Sequence, residues 1–279
     1  MLQLRTYATV NDYLAENQVI LEQRELENNL ILGICNSFPD KNLQMPDCHF
    51  LSVFDKDEFK ATAVKTLPKI FLSSTTKNSE DLKPLANYFT DNKLKISGVV
   101  AETIYADAFT FFLKKNKVSD RKLLVHKLSK INAGVLAEGE FKPARMEALD
   151  YLAEWANQFQ HDAHAFPKKT KAEIRSNIKT LISKNNLFNW FNNRNELVCM
   201  AGMIRSTCNI GIIGLVYTPK HFRGKGFAKS CVHKLSEHIL NSGHKHCGLF
   251  TESTNPTSNK IYKEIGYEVS AEFSDIAFD

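Results

Sequence analysis

Residues 210–228 read IGIIGLVYTPKHFRGKGFA and combine a strand, a glycine-rich turn and the start of a helix. The run from Ile210 to Tyr217 is rich in β-branched and aromatic residues, which predicts a buried strand that ends before Pro219. After Gly226, apolar residues recur at the spacing of a helix with one buried face. A turn of this kind presents backbone N–H groups at the positive end of the helix dipole. The segment therefore predicts a site for a phosphate-bearing cofactor.

Two other phosphate-binding loops do not fit this segment. A Walker loop needs Ser or Thr after Gly-Lys, whereas Gly226 follows Gly224-Lys225 here. The dinucleotide fingerprint needs a third glycine three residues after Gly226, where Lys229 stands. The remaining pattern, strand-x-P-x-x-R-G-x-G-x-A-helix, resembles the coenzyme A loop of the GNAT superfamily of acyl-CoA-dependent N-acyltransferases.

A second motif follows at residues 247–267, which read CGLFTESTNPTSNKIYKEIGY. A short strand to Glu252 precedes a helix over about 256–265, with Asn255 as N-cap and Gly266 as C-terminal cap. The pattern Asn-x-x-Ser-x-x-x-Tyr-x-x-x-Gly-Tyr is similar to the second GNAT motif, and it stands at the family's distance behind the loop. The two motifs together identify the C-terminal half as GNAT-like.

The resemblance implies an α/β fold for residues 119–279, with a mixed central sheet flanked by helices. The predicted order of elements in this part, β-α-α-β-β-β-α-β-α-β, is the order that a GNAT domain shows. A polar stretch at residues 114–122 separates two apolar segments and places the domain boundary at residue 118.

The N-terminal half, residues 1–118, repeats part of this order as three strands, a helix, a strand and a helix. We interpret it as a smaller, degenerate GNAT-like domain; an unrelated α+β domain is the alternative. No glycine separates Leu72 from Leu85, so this half is not expected to bind coenzyme A. It is expected either to cover the acceptor side of the cleft or to mediate self-association into a homo-oligomer.

Composition restricts the remaining classes of function. No segment has the roughly 20 apolar residues of a membrane span, and the N-terminus lacks the pattern of a secretory signal. The six cysteines form no CxxC pair and are interpreted as reduced core thiols, which predicts a cytoplasmic protein.

Residues 119–279 carry 22 Lys and Arg against 16 Asp and Glu. This excess favours a phosphorylated cofactor over a nucleic acid, because no aromatic-interleaved basic stripe accompanies it.

The catalytic candidates follow from the chemistry of acyl transfer. The departing thiolate needs a proton, and the position of Tyr262 in the second motif resembles that of the family's general acid. Its phenol, with an ordinary pKa near 10, would then shape the basic limb of the pH profile. Glu252, at a strand end, is the candidate base; the alternative is a capping or ion-paired carboxylate. Asp162 and His161 follow the first helix, in the region that covers the substrate in this family.

The resemblance also implies a set of residues that bind acetyl-CoA. The backbone of the strand end pairs with the pantetheine arm, the loop holds the pyrophosphate, and the second helix contributes polar side chains. These residues are Val216, Tyr217, Thr218, Arg223, Gly224, Lys225, Gly226, Phe227, Ala228, Lys229, Asn255, Ser258 and Asn259. No metal is expected, although His161 and His164, or the cluster of Cys231, His233, His238, His244, His246 and Cys247, could suggest one.

The predicted function is transfer of an acyl group, acetyl in the simplest case, to a primary amine of a small molecule or peptide by direct attack in a ternary complex. Neither a nucleic acid nor a membrane is an expected partner. Two alternatives stay open: a non-catalytic acyl-CoA-binding regulatory protein, against which Tyr262 argues, and a nucleic-acid-binding protein.

Overall fold

The computed structural model describes residues 1–66, 69–163 and 168–279. Its contacts divide the chain into two compact units that are interleaved in sequence. The first unit comprises residues 1–125, 250–255 and 269–279, and the second comprises residues 126–249 and 256–268. The predicted boundary at residue 118 falls inside a strand that begins at Lys117, and the last strand of the chain lies almost entirely in the first unit.

The first half of the sequence forms the elements β1 (Leu2–Tyr7), α1 (Val10–Gln23), α2 (Asn29–Ser37), β2 (His49–Asp55), β3 (Glu58–Thr66), β4 (Lys69–Ser74), α3 (Lys83–Asp91), β5 (Gly98–Glu102), α4 (Thr103–Leu113) and β6 (Lys117–Leu128). The second half forms β7 (Glu140–Pro143), α5 (Leu149–Asp162), α6 (Lys171–Ser183), β8 (Leu187–Phe191), β9 (Leu197–Ser206), β10 (Ile210–Tyr217), α7 (Phe227–Asn241), β11 (His246–Glu252), α8 (Pro256–Ile265) and β12 (Glu268–Phe278).

In the first unit the strands follow the order β1-β2-β3-β4-β5-β12. The last strand pairs antiparallel with β5, from Phe273 opposite Glu102 to Ala277 opposite Gly98. Ile276 is fully buried in the same core as Phe89 of α3. The C-terminal strand therefore completes the hydrophobic core of the first unit.

In the second unit the strands follow the order β11-β10-β9-β8-β7. Successive residues of β8 alternate between two cores, as the pleat of a strand requires. Phe188 packs with α7 and α8, whereas Leu187 packs with α5 and α6. Helix α6 begins at a capping box formed by Thr170 and Glu173, whose side chains each bond the other's backbone.

Both units contain the same succession of elements. Three antiparallel strands lead to a helix, then to a strand parallel to the third, then to another helix. The elements are β2-β3-β4-α3-β5-α4 in the first unit and β8-β9-β10-α7-β11-α8 in the second. The predicted α/β class with a mixed central sheet is confirmed, and the first half repeats the order of elements of the second, as predicted.

Some predicted details were wrong. Strands β1 and β7 were not predicted, and α5 begins at Leu149 instead of residue 144 because Met146–Ala148 form a 3-10 turn. Four of the six cysteines are buried, as expected, but Cys208 is exposed and Cys48 is half-buried. Among the described residues no helix is both long and apolar enough to cross a membrane.

Candidate active site

The glycine-rich turn is exposed and opens directly onto α7. Gly224 and Gly226 both adopt left-handed backbone conformations, with φ of 80° and 79°. An added Cβ would meet nothing within 4 Å at Gly224, and at Gly226 only the Cβ of Ala137, at 3.8 Å. Gly226 is the N-cap of α7, and no side chain caps the helix there. The first N–H groups of α7 are thus left to bind an external anion.

The strand before this turn contains an irregularity that the sequence did not reveal. Leu215 has φ of 53°, a left-handed conformation that costs a residue with a Cβ about 1 kcal/mol or more. It lies where the pairing of β10 with β9 shifts register, between Gly214 and Tyr217. The parallel pairs between β10 and β11 also end at Ile213. The backbone from Gly214 to Tyr217 therefore departs from regular sheet geometry where the pantetheine arm is predicted to bind.

The cationic side chains of the turn already have partners. Arg223 donates from Nη2 to Asp162 Oδ2 at 2.7 Å and from Nε to the carbonyl of Thr218 at 2.9 Å. This hydrogen bond, together with the guanidinium charge, lowers the pKa of Asp162. Lys229 forms an ion pair with Glu264 of α8 at 2.6 Å. Arg223 thus ties the turn to the C-terminal end of α5.

Two further loop residues pack rather than pair. Lys225 lies over the ring of Phe222, with Nζ 5.8 Å from the ring centroid. Phe227, the first residue of α7, is buried in the same core as Tyr262, and Val216 and Ala228 pack against that core. The structure therefore gathers these predicted cofactor residues and the predicted acid around one cluster of the second unit.

Tyr262 lies on α8 and is 8% exposed. Its ring centroid is 5.9 Å from that of Tyr267 and 6.0 Å from that of His126. Within the described part of the chain, no hydrogen bond engages its hydroxyl group. Burial, and secondarily the Cys199 thiol, raises the pKa of Tyr262 well above its ordinary value. The phenol therefore stays protonated at neutral pH, which is the state that a proton donor needs.

The other predicted residues of the second motif have different environments. The Asn259 side chain forms a hydrogen bond with His126, whose pKa is lowered by burial. Ser258 is half-buried, and Asn255 is exposed. Pro256 is the first residue of α8, and Gly266 follows its end with φ of 113°, as the sequence predicted.

Glu252 lies in the segment 250–255, which groups with the first unit. Arg121 Nη2 and Nε both donate to its Oε1, at 2.5 and 3.1 Å. A carboxylate engaged in this way is the ion-paired alternative that the sequence left open. A similar arrangement occurs at the end of β5, where Arg24 lies 2.9 Å from Glu102.

A cavity of about 650 Å³ lies between α5 and the end of β10 in the second unit. Its volume is within the range of small-molecule binding sites. The lining residues are Tyr151, Glu154, Trp155, Asn157, Gln158, His161, Asp162, Tyr217, Pro219, Lys220 and His221. Of the predicted site residues, Tyr217 and Asp162 lie here, and Asp162 is the residue that pairs with Arg223 of the turn. The cavity is therefore joined to the glycine-rich turn by this pair.

Sequence reasoning missed the helical wall of this cavity. Tyr151, Glu154, Trp155 and Gln158 follow one another at helical spacing along α5. Such a stripe also occurs on ordinary buried helix faces, so its only signal was the unusual density of aromatic and polar side chains.

The corresponding turn of the first unit, residues 75–82, has its backbone donors occupied. Thr76 Oγ1 accepts from the Asn78 N–H at 3.0 Å, and Asn78 Oδ1 accepts from the Glu80 N–H at 3.3 Å. The buried Asp81 carboxylate accepts from Thr76 Oγ1 at 2.5 Å. Side chains thus bond backbone donors within this turn, and the Asp81 carboxylate would repel a phosphate there.

We therefore expect one coenzyme A per chain. Calorimetric titration of the full-length protein should give a stoichiometry of one, because the turn at 223–229 combines an uncapped helix N-terminus with cationic side chains, whereas side chains bond backbone donors in the corresponding turn of the first unit. A stoichiometry of two that falls to one on Gly226→Asp would show that the first unit also binds the molecule.

The alternative metal sites gain no support. His161 Nδ1 lies 3.1 Å from Lys168 Nζ, and His164 falls outside the described residues. In the ranges that the structure describes, no group of three His, Cys, Asp or Glu side chains could hold a metal ion. Cys231 is buried, and burial raises the pKa of its thiol, which disfavours the nucleophilic thiolate.

Comparison with known proteins identifies the fold. Residues 192–274 match the family model described as FR47-like protein. No curated protein sequence matches the chain. The matched residues lie in the C-terminal half and contain both motifs whose resemblance to GNAT the sequence shows.

Solved structures match over nearly the whole chain. A GNAT-family acetyltransferase from Colwellia psychrerythraea is 14% identical, with a TM-score of 0.59 over 99% of this chain and 100% of that one. A GCN5-related N-acetyltransferase from Sphaerobacter thermophilus is 14% identical, with a TM-score of 0.64 over 99% and 95%. A tandem GNAT protein from the clavulanic acid biosynthesis pathway is 8% identical, with a TM-score of 0.54 over 100% and 98%. At these sequence identities the matches show a similar fold and nothing more. A fold with two GNAT-like halves in one chain agrees with them.

Proposed function

We propose that the protein is an acyl-CoA-dependent N-acyltransferase that transfers acetyl from acetyl-CoA to a primary amine. The observation that carries the proposal is the exposed turn at 223–226, whose two left-handed glycines precede an uncapped helix N-terminus. The GNAT-type fold of the C-terminal half supports it, and the solved structures of similar fold include proteins described as acetyltransferases.

The residues of the turn fit the charged part of coenzyme A. The N–H groups of the first turn of α7 would bind the pyrophosphate, with Arg223, Lys225 and Lys229 supplying positive charge. Thr218 has a buried hydroxyl that makes no hydrogen bond within the described residues. A buried hydroxyl without a partner is costly, so a ligand amide beside the end of β10 would stabilise it.

When bound, acetyl-CoA supplies the acyl group as a thioester. Tyr262 would donate a proton to the departing thiolate, and the amine would attack the carbonyl directly. Glu252 stays the predicted base; a proton taken from the amine would neutralise its carboxylate and weaken the pair with Arg121, whose Nη2 and Nε both donate to Oε1. Asn255, Ser258 and Asn259 stay predicted contacts of the cofactor.

Acetyl-CoA hydrolysis and transfer can be separated in one assay. Full-length protein is incubated with acetyl-CoA and a panel of primary amines, and free thiol release is followed with and without each amine. We expect amine-dependent thiol release that Gly226→Asp strongly reduces at acetyl-CoA concentrations that saturate the wild type. Tight acetyl-CoA binding without release for any amine would instead identify a non-catalytic acyl-CoA-binding protein.

A further inference from the structure

The cavity between α5 and β10 has a wall of aromatic rings. The ring centroids of Tyr151 and Trp155 are 4.8 Å apart, and those of Trp155 and Tyr217 are 5.8 Å apart. Trp155 is buried, whereas Tyr151 is 51% exposed. Aromatic faces attract cations, and because Trp155 is buried against its neighbours, the ring of Tyr151 is the face of this pair that is open to one.

A carboxylate lies beside these rings. Glu154 forms no ion pair with any described residue, and its Oε1 accepts a hydrogen bond from Gln158 Nε2 at 3.2 Å. Gln158 is itself fixed, because its Oε1 accepts from the Tyr217 hydroxyl at 2.7 Å. This chain of hydrogen bonds orients Glu154 and leaves its second oxygen for a ligand.

The other charged residues of the lining indicate which end of the cavity can bind a cation. Asp162, the other carboxylate of the lining, is engaged by Arg223. Lys220, His161 and His221 line the cavity as well, and Lys220 would repel a second cation. The cation-binding features are therefore concentrated at Glu154 and the exposed ring of Tyr151.

The nitrogen that attacks a thioester must be neutral. Glu252 is the predicted base for that nitrogen, and a second carboxylate that held the same nitrogen without taking its proton would stabilise the charged form and slow the reaction. We therefore assign the cation held at Glu154 to a different group of the same molecule.

We propose that the acceptor is a primary amine carrying a second cationic group, which binds to Glu154 beside the exposed ring of Tyr151. The proposal rests on the proposed N-acyltransferase function. The acceptor class is an aliphatic diamine or an amine with a comparable distal cation. The attacking nitrogen binds away from Glu154 and loses its proton.

A binding experiment tests the cation site without turnover. The probe is pentyltrimethylammonium, which cannot be acylated and is always charged, titrated calorimetrically into the full-length protein with coenzyme A present. Glu154→Gln should weaken its binding about tenfold, whereas Glu147→Gln, the same charge change at an exposed residue outside the cavity lining, should not. Equal affinity in the wild type and Glu154→Gln would overturn the proposal.

A kinetic experiment tests the acceptor. Acetyl transfer to 1,5-diaminopentane is compared with transfer to pentylamine, which has the same chain but no second cation. We expect kcat/KM to be about tenfold higher for the diamine, and Glu154→Gln to remove this difference without changing coenzyme A affinity. Equal use of both amines by the wild type would overturn the acceptor assignment. Glu154-dependent cation binding without transfer to any amine would overturn the acyltransferase function and the acceptor role with it, and would leave only a cation site.

Discussion

Replacing Gly226 by Asp is expected to weaken acetyl-CoA binding by about 2–4 kcal/mol, through bulk and like-charge repulsion beside the phosphates. Gly226 is exposed and is the N-cap of α7. A carboxylate here would lie at the N-terminal, positive end of the helix dipole, where the pyrophosphate is proposed to bind. Calorimetry on the purified variant measures the effect.

The variant should still fold. Asp tolerates the left-handed region better than most residues with a Cβ, so it can adopt the φ of 79° at a strain of about 1 kcal/mol. The space around Gly226 accepts a Cβ, since the nearest atom is 3.8 Å away. A cooperative unfolding transition well above the assay temperature would confirm that lost affinity comes from the site and not from unfolding.

Gly226→Asn is the matched control. Asn has the size of Asp and the same tolerance for a left-handed backbone, but it carries no charge. We expect it to cost less than Asp, and the difference between the two variants isolates the repulsion of the phosphates. If both bind coenzyme A as the wild type does, the turn is not the binding site.

The sequence predicted the local parts of this molecule well. Helices α6 and α8 match their predicted bounds, 171–183 and 256–265, because capping residues and apolar spacing are encoded within the helices themselves. The glycine turn was predictable for the same reason. Such features depend on residues that are neighbours in sequence.

The features that were missed depend on distant residues. The antiparallel pairing of β12 with β5 joins residues about 175 positions apart, and nothing in either strand specifies that partner. The pairing of Glu252 with Arg121 and of Arg223 with Asp162 likewise follows from tertiary placement. The lining residues of α5 have the spacing of an ordinary amphipathic helix. Only the tertiary position of β10 shows that they line a cavity.

The Phe variant of Tyr262 is expected to lower kcat by up to about 100-fold while acetyl-CoA affinity stays within a few-fold. The substitution keeps the buried ring and removes a hydroxyl that, within the described residues, bonds to no other group. No protein partner is left unsatisfied, so the loss of stability should be small. A general acid acts only as the thiolate departs, and its removal therefore appears in kcat.

The structure changes the pH dependence expected for this variant. Burial, and then the Cys199 thiol, raises the pKa of Tyr262, so the phenol would lose its proton only well above pH 10. The phenol then stays protonated throughout an ordinary assay range of about pH 6–9.5, so it adds no basic limb of its own. We expect the Phe variant to be slower by the same factor throughout this range, with no change in the shape of the basic limb.

Tyr267→Phe provides the control for a hydroxyl lost from the same core. The Tyr267 hydroxyl shares a hydrogen bond of 2.7 Å with Ser236 Oγ, and its removal should cost about 0.5–1.5 kcal/mol of unfolding free energy. Tyr267→Phe should leave kcat unchanged. Tyr262→Phe should lower kcat and leave the free energy of unfolding nearly unchanged. If both variants lower only stability, Tyr262 is a core residue. A loss of kcat confined to the Tyr262 variant would identify its hydroxyl as part of the reaction, because both substitutions remove one phenol hydroxyl from the same core.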